Sequence, residues 1–407
     1  MKIRNVLRIA LVAIRRNAVR SGLTMLGVII GVASVIAMIA LGSGARAAID
    51  DQIQQQGTNV VYVSAGSFGR GPGMARGGAG STTTLTLEDA QAIAREVPTI
   101  ARVSPMARGR AQVVAGNQNW NTSVEGGTED YIVIRNWPLA SGADFTARDV
   151  LVAEKVALLG PTVAKTLFPD SDPVGQIIRV KNLPFRVVGV LTSKGQNQWG
   201  QDQDDIIIAP YTTVQKKLLG ITFIQQIVLS ATSSENVEPA AVEITKLMRQ
   251  RHKIQDPTDD DFTVRTVAEM AATRTEMANT MTMLLMSVAS VSLLVGGIGI
   301  MNIMLVSVTE RTREIGLRMA VGARTRDILR QFLAEAVSLS IVGGAVGVLL
   351  GMSVSRLLTT GLGWPTVITF WSLILSTGVS ITVGLVSGIY PATRAAELNP
   401  IDALRYE

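Results

Sequence analysis

Charged side chains of both signs are concentrated in residues 310–331, which read ERTREIGLRMAVGARTRDILRQ. Glu314 and Arg318 are four residues apart, and Glu310 and Arg313 are three apart, so each pair meets on one face of a helix. Charge pairs at this spacing favour a shaped contact with another protein. We expect this connector to receive force from a soluble partner. Arginines that only set membrane topology and bind lipid remain the alternative interpretation.

Residues for enzymatic chemistry are not brought together by any recognisable spacing. The chain has no cysteine, which excludes disulfides, zinc–thiolate sites and a thiol nucleophile. His252 is the only histidine, and its basic neighbours favour a surface position without a catalytic partner. The acidic run 256–261 contains a proline and lacks the ligand spacing of an EF-hand, so we predict a solvated loop. The sequence predicts no enzyme, no metal site and no bound cofactor.

Nucleotide hydrolysis by this chain is also not expected. The Gly-rich segment 66–84 contains neither GxGxxG nor GxxxxGK[ST], the motifs that cradle phosphates, and is better interpreted as a flexible loop. Any energy from nucleotide hydrolysis must then come from another chain. The composition of the whole sequence indicates which parts of the chain lie in a membrane and which lie in water.

Hydrophobic residues make up 47% of the 407 residues, and the mean hydropathy is +0.31. These values predict a few membrane-spanning helices and one large domain in water. Segments 1–20, 309–331 and 392–407 contain 14 Lys/Arg and 6 Asp/Glu, whereas 43–280 contains 23 Lys/Arg and 25 Asp/Glu. Because the basic residues are concentrated beside the predicted spans, the charge indicates topology and no nucleic-acid partner.

The elements that position the connector follow from apolar runs long enough to cross about 30 Å of hydrocarbon. The predicted order is a cytoplasmic amphipathic helix on membrane lipids (1–21), membrane helix 1 (22–42), a periplasmic α+β domain of one or two lobes (43–280), membrane helix 2 with a stalk (281–308), the cytoplasmic coupling region (309–331), membrane helix 3 (332–357), membrane helix 4 (369–390) and a cytoplasmic tail (391–407). The fold class is therefore an α-helical membrane protein with four transmembrane helices plus a large α+β extracytoplasmic domain. The alternative for residues 1–20 is the basic start of a signal peptide.

Alternation of apolar residues gives the elements of the water-exposed domain. We predict strands at 59–64, 111–115, 151–159, 177–180, 185–191, 205–209 and 227–231, and helices at 87–97, 161–167 and 237–252. Thr86 is the expected N-cap of the first of these helices.

Small residues recur at four-residue spacing in the predicted spans and permit close helix packing. The candidate packing positions are Gly27, Gly31, Gly343, Gly347, Gly351, Gly384 and Gly388. Asp, Lys and His are absent from the middle of every span. Because ion-coupled carriers keep ionisable residues at mid-membrane, this absence disfavours a secondary transporter.

Three segments in order resemble the MacB/FtsX family of ABC transporter permeases. They are DPVGQIIRVKNLPFRVVGVL (172–191), ERTREIGLRMAVGAR (310–324) and PATRAAELNPIDALRYE (391–407). The order of one span, a large periplasmic domain and three further spans is also similar, so the resemblance covers nearly the whole chain.

The resemblance implies a permease without catalytic residues, driven by an ABC ATPase that docks on the coupling region. The coupling residues carried over by the motif are Glu310, Arg311, Glu314, Gly316, Arg318, Gly322 and Ala323. Family members with a fused ATPase carry it ahead of the permease, so a separate ATPase chain holding ATP and Mg is expected here. The other expected partners are a second permease chain, as a homodimer, and a periplasmic adaptor protein.

The resemblance further implies export by mechanotransmission, in which ATP-driven movement of the spans reaches the outer domain. The expected location is the bacterial inner membrane, with both termini in the cytoplasm. Two alternatives stay open: a lipoprotein-releasing permease of the LolC/LolE type, and an FtsX-like regulator of cell-wall hydrolases.

Overall fold

The computed structural model describes residues 18–66, 83–196 and 201–404. Contacts divide the chain into a helical unit (Met1–Ala48 and Thr275–Glu407) and an α/β unit (Ile49–Arg274). Three predicted features lie outside the described residues: the amphipathic helix at residues 1–17, most of the Gly-rich segment (67–82) and the end of the tail (405–407).

The described elements are, in chain order, α1 (Ala18–Gln56), β1 (Val60–Ala65), α2 (Leu87–Glu96), β2 (Ile100–Ala115), β3 (Gln118–Gly127), α3 (Tyr131–Ile134), β4 (Leu139–Gly142), α4 (Ala147–Val152), β5 (Val156–Leu159), α5 (Pro161–Leu167), β6 (Ile177–Val180), β7 (Leu183–Leu191), β8 (Ile206–Pro210), α6 (Tyr211–Thr213), β9 (Gln226–Ala231), α7 (Val237–His252), β10 (Phe262–Thr266), α8 (Val267–Glu310), α9 (Thr312–Ala320), α10 (Thr325–Leu362), α11 (Phe370–Ala396) and α12 (Pro400–Leu404). A π-helical turn, Val214–Leu219, follows α6.

Within the described residues, four helices of the chain are long and apolar enough to cross a membrane: α1, α8, α10 and α11. The shortest of these helices, α11, has 27 residues, more than the roughly 20 residues that a bilayer requires. The chain is a membrane protein with a large α/β domain outside the bilayer, and the predicted fold class is confirmed.

Glycines allow the helices of the helical unit to approach closely. A Cβ at each position would point to a neighbouring helix: Gly27 to Gly296, Gly31 to Leu293, Gly343 to Val28, Gly347 to Ile29 and Val32, Gly351 to Ala33 and Ile36, Gly384 to Ser340, and Gly388 to Ala336. Gly343, Gly347 and Gly351 of α10 thus face α1, and Gly384 and Gly388 of α11 face α10. Without a hydrophobic driving force in lipid, such close contact is the main source of attraction between helices.

Several membrane helices extend beyond their predicted ends. Helix α1 continues to Gln56, and α10 begins at Thr325 instead of residue 332. Helix α11 passes through Pro391 and ends at Ala396, although the tail is predicted to begin at 391. A proline inside a helix removes one backbone hydrogen bond. Burial of the alanines that follow, at 392, 395 and 396, offsets this loss.

The described strands of the α/β unit form one sheet in the order β10-β1-β9-β2-β3-β8-β5-β7-β4, with β6 paired to β2 and β7. The 16-residue strand β2 joins its two parts, because residues 100–106 pair with β9 and residues 107–115 pair with β3. Both faces of the sheet carry apolar clusters covered by helices. Strand β2 therefore connects the two parts of the sheet within one compact unit.

Local signals explain most elements of the α/β unit. Thr86 caps α2, and its hydroxyl and the carboxylate of Asp89 form the reciprocal pattern of a capping box. The strand predicted at 151–159 is wrong at its start, because α4 includes residues 151 and 152 and β5 begins at Val156. The reason is a second capping box, formed by Thr146 and Asp149, which begins a helix just before the apolar run.

The predicted surface position of His252 is also wrong. Its side chain is only 11% exposed, with Nδ1 2.7 Å from Oδ1 of Asp261 and Nε2 3.4 Å from Oδ2 of Asp89. Burial alone raises the pKa of Asp89, but hydrogen bonds from Thr86 and Arg251 outweigh it and hold the pKa below its ordinary value. The histidine therefore ties the end of α7 to α2.

The acidic run 256–261 forms the expected solvated loop at residues 256–259, which are exposed, whereas Asp260 and Asp261 are half-buried. Its turn Pro257–Asp259 brings the following carboxylates back over the end of α7, where Asp260 accepts from Arg249 at 2.7 Å. The C-terminal end of α7 is thus held by carboxylates that follow it closely in the sequence.

Candidate functional site

The connector between α8 and α10 is a short helix between two turns. Helix α8 ends at Glu310, and Arg311 leaves the helical conformation with φ −107° and ψ 13°. Helix α9 follows, and α10 begins after the extended residue Arg324. The backbone N–H of Arg324 donates to the carboxylate of Asp327 at 3.4 Å, which satisfies one donor at the start of α10.

A buried ion pair fixes the first turn of the connector. Nη1 of Arg311 lies 3.2 Å from Oε2 of Glu335, whose side chain is only 10% exposed. The hydroxyl of Thr312 donates back to the carbonyl of Val308, closing the turn from within. Removing one partner would leave a charge in a largely apolar interior, so the pair locks α9 to α10.

The inner face of α9 packs on the C-terminal helix α12. A Cβ on Gly316 would lie 2.7 Å from Cβ of Ala403, which is closer than real Cβ atoms approach. Ile315 beside it is buried in the core of the helical unit. Gly316 therefore permits the contact between α9 and α12 through its lack of a side chain.

The outer face of α9 carries exposed apolar side chains within a charged rim. Leu317 is 57% exposed and Val321 is 83% exposed. Arg318 pairs with Glu314 at 2.5 Å and donates to Oε1 of Gln331 at 3.1 Å, so its guanidinium links α9 to α10. An exposed ion pair of this kind contributes only about 0.3–0.5 kcal/mol, so its main effect is to orient Arg318.

The second turn requires a glycine. Gly322 has φ +105°, a conformation that costs other residues free energy, and its N–H donates to the carbonyl of Met319 at 3.1 Å. The N–H of Ala323 donates to the carbonyl of Arg318 at 3.0 Å. The turn therefore projects Val321 from the connector and returns the chain to α10.

A cleft of about 750 Å³ lies beside the connector, between the end of α8 and the segment joining α11 to α12. Thr309 and Asp402 are among its lining residues. Arg394 stacks on the ring of Tyr390 with its guanidinium carbon 5.7 Å from the ring centroid. The cleft gives this side of the helical unit a concave surface next to the start of the connector, where Thr312 is one of its lining residues.

The structure separates the predicted coupling residues into two groups. Arg311 and Gly316 point inward and hold the connector, whereas Glu310, Glu314, Arg318 and Gly322 are exposed and Ala323 is half-buried. The apolar residues Leu317 and Val321 and the inner partner Glu335 are absent from the prediction. The sequence spacing could have identified Leu317 as exposed, because it does not lie on the inward face of the helix, which carries residues 312, 315, 316 and 319.

Two protein-family models match the chain, one in its N-terminal part and one in its C-terminal part. The model of the MacB-like periplasmic core domain matches residues 21–247, and the FtsX-like permease C-terminal model matches residues 286–400. The chain belongs to the MacB/FtsX permease family. The resemblance seen in the three sequence segments is thus confirmed, and the α/β unit is the family's periplasmic core domain.

Similar proteins of the family include two named macrolide export ATP-binding/permease protein MacB. The one from Syntrophobacter fumaroxidans is 42% identical over all of this chain and 64% of its own length. The one from Azoarcus sp. is 43% identical over 98% of this chain and 59% of its own length. The chain spans about 60% of the length of these curated relatives.

Solved structures similar to the chain cover its α/β part. The periplasmic region of MacB from Actinobacillus actinomycetemcomitans aligns with 55% of this chain and 96% of its own, at 25% identity and a TM-score of 0.46. The extracellular domain of the transporter YknZ from Gram-positive bacteria aligns with 51% of this chain and 100% of its own, at 16% identity and a TM-score of 0.41.

Proposed function

We propose that the chain is the permease of a MacB-like export system, in which an ABC ATPase docks on the connector and drives movement of the periplasmic domain. Membership of the family and the names of its relatives support the transport role. The observation that carries the docking site is the exposed pair Leu317 and Val321, within a rim of charges on a connector locked from inside.

The connector has the features of a contact that transmits force. An apolar centre with a polar rim is the usual anatomy of a protein interface. The ion pair between Arg311 and Glu335 joins the connector to α10, and the contact at Gly316 joins it to α12. A push on the outer face of α9 would therefore move α8, α10 and α12 together instead of bending a loose loop.

The partners, location and mechanism that we propose are those implied by membership of the family. Two permease chains and two ATPase sites would act together, with ATP and Mg held by the ATPase and not by the residues described here. The connector and both termini would lie in the cytoplasm, and the periplasmic domain would engage an adaptor. Movement along α1 and α8, whose residues belong to both units, would carry the conformational change outward by mechanotransmission.

Introducing a negative charge into the apolar centre tests the proposal. Leu317→Asp and Val321→Asp place a carboxylate at the centre of the contact, and we expect ATPase stimulation by the permease to fall by about tenfold or more. The measurement is ATP hydrolysis by the ABC ATPase reconstituted with the full permease chain in lipid nanodiscs.

A matched control is available in the α/β unit. Leu151 is as exposed as Val321, at 83%, so Leu151→Asp adds the same charge to a different surface. We expect this variant to stimulate the ATPase as the wild type does. Normal stimulation by both connector variants would contradict the docking site.

A further inference from the structure

A cavity of about 350 Å³ lies within the α/β unit, at the point where β2 changes its partner from β9 to β3. Its lining residues are Ser64, Met106, Arg108, Glu125, Tyr131, Arg135, Gln225 and Gln226. Seven of these eight side chains carry a polar group. Pockets for small ligands have volumes of about 300–1,000 Å³, so this cavity has room for a ligand at the small end of that range.

Strand register explains why these side chains converge. Ser64 on β1 and Met106 on β2 both pair with Gln226 on β9, and Arg108 pairs with Glu125 on β3. Paired residues of neighbouring strands point to the same face of a sheet, and so do residues two apart on one strand. The row therefore forms a floor of polar side chains with the apolar side chain of Met106 among them.

Helix α3 and the residue after it cover this floor. A Cβ on Gly127 would lie 2.7 Å from Cβ of Tyr131, so the chain can place this tyrosine here only because residue 127 has no side chain. The Tyr131 hydroxyl donates to Oε2 of Glu125 at 2.7 Å, and Nε of Arg108 donates to Oε1 at 2.9 Å. The carboxylate of Glu125 is thus held on both oxygens.

Arg135 has hydrogen-bonding capacity to spare. Its Nη1 donates to the hydroxyl of Tyr62 at 3.2 Å, but its buried Nε has no hydrogen-bond partner. Among the buried side-chain atoms of the described residues, only this Nε and the hydroxyl of Thr122 lack one. After a small rearrangement, the unpaired Nε–H of this guanidinium can donate to one oxygen of a carboxylate, and such charge-assisted hydrogen bonds are the strong ones.

Charge in the cavity favours one negative charge on the ligand. Two arginines face one glutamate, which leaves a net charge of +1. Burial lowers the pKa of Arg135, but Tyr131, Tyr62 and Glu125 outweigh it and raise the pKa above its ordinary value, so the group stays charged. A phosphate monoester carries about −1.5 to −2 at neutral pH and would leave excess negative charge beside Glu125.

We propose that this cavity binds a small monocarboxylate with amide groups, the carboxyl end of a short peptide, through the guanidinium of Arg135. Nε2 of Gln226 donates to the hydroxyl of Ser64 at 3.0 Å, and Oε1 of Gln225 accepts from the backbone N–H of Arg108 at 2.6 Å. The hydroxyl proton of Ser64, Oε1 of Gln226 and Nε2 of Gln225 are left to match the acceptors and donors of a peptide bond. Arg108, whose side chain is 66% exposed, lies at the mouth of the cavity. This binding needs neither the ATPase nor the docking contact, so it stands apart from the proposed function.

The test is calorimetric titration of the full chain in detergent with acetyl-alanyl-alanine. The same peptide with a C-terminal amide removes only the charge, and L-lactate supplies a carboxylate without a peptide bond. We expect saturable binding of the acid, loss of binding with the amide, and weaker binding of lactate. Equal binding of acid and amide, or no saturation by the acid, would overturn the proposal.

Variants locate the site. Arg135→Gln removes the guanidinium and is expected to weaken binding by about tenfold or more. Ser64→Leu keeps every charge and fills the cavity, and it decides the question if Arg135→Gln does not fold. Arg179→Gln changes an exposed arginine on β6 and is expected to bind as the wild type does. Unchanged affinity in both cavity variants would show that the peptide binds elsewhere.

Discussion

At the scale of single residues, buried charges in this protein have partners from distant parts of the sequence. Glu335 meets Arg311 across the connector, and His252 meets Asp89 from 163 positions away. Neither pair has a local spacing that a reader of the sequence could recognise. The wrong prediction for His252 has this cause, because a partner distant in the sequence decides whether the side chain stays on the surface.

Asp144 gives a prediction at this scale. Burial raises the pKa of its carboxyl to about 6, from an ordinary value of 3.8. Between these two values the folded state binds more protons than the unfolded state, so this group's contribution to stability is present below pH 3.8 and is lost as the pH rises through 6. We expect Asp144→Asn to remove this loss.

The measurement is the thermal transition of the α/β unit, followed in the full chain at several pH values from 4 to 7. The Asn variant should gain stability relative to the wild type as the pH rises, and it can still accept the 2.8 Å hydrogen bond from the N–H of Phe145. Asp170→Asn, at an exposed position, serves as the control. Parallel pH profiles for the wild type and Asp144→Asn would contradict the assignment.

At the scale of elements, the sequence predicts which helices and strands exist better than it predicts the residues at which they begin and end. Helix α7, the strands β6 and β8 and the N-cap of α2 lie where or very near where the pattern predicts them. The observed ends differ where burial outweighs a local signal, as at Pro391 inside α11, or where a cap begins a helix just before an apolar run, as at Thr146. Long strands such as β2 are under-predicted because their partners change along their length.

The glycines of α10 give a prediction for helix packing. A Cβ on Gly347 would lie 2.9 Å from the carbonyl oxygen of Ile29, whereas one on Gly343 would lie 3.5 Å from Val28. Gly347→Ala is expected to destabilise the helical unit by about 1–3 kcal/mol through overpacking. Gly343→Ala is the matched control, since the space exists and alanine favours the helix by about 1 kcal/mol.

Thermal unfolding of the purified permease in detergent, followed by circular dichroism, measures the effect of both substitutions on stability. The expected order of stability is Gly343→Ala equal to or above the wild type, and Gly347→Ala below it. The opposite order, or equal loss in both variants, would mean that α1 and α10 do not pack through Gly347.

At the scale of the whole molecule, the chain combines a helical unit that carries the connector with a periplasmic core domain that carries the cavity. Composition and charge distribution predict this division, because apolar runs and excess Lys/Arg occur together and the long middle segment is nearly neutral. The three resembling segments then identify the family. Within the proposed docking surface, Leu317 could have been recognised from the spacing of the buried residues of α9. The exposure of Val321 could not be predicted, because it depends on the turn at Gly322.

The most direct test of this account uses the absence of cysteine from the chain. A single Val321→Cys substitution reports the position of the connector through a membrane-impermeant maleimide, with Leu151→Cys reporting the periplasmic domain. We expect Leu151→Cys to react in spheroplasts, and Val321→Cys to react only in inside-out vesicles and to be protected there when the ABC ATPase is bound. Labelling of Val321→Cys from the outside, or equal labelling with and without the ATPase, would contradict the claim that the connector is the cytoplasmic docking site.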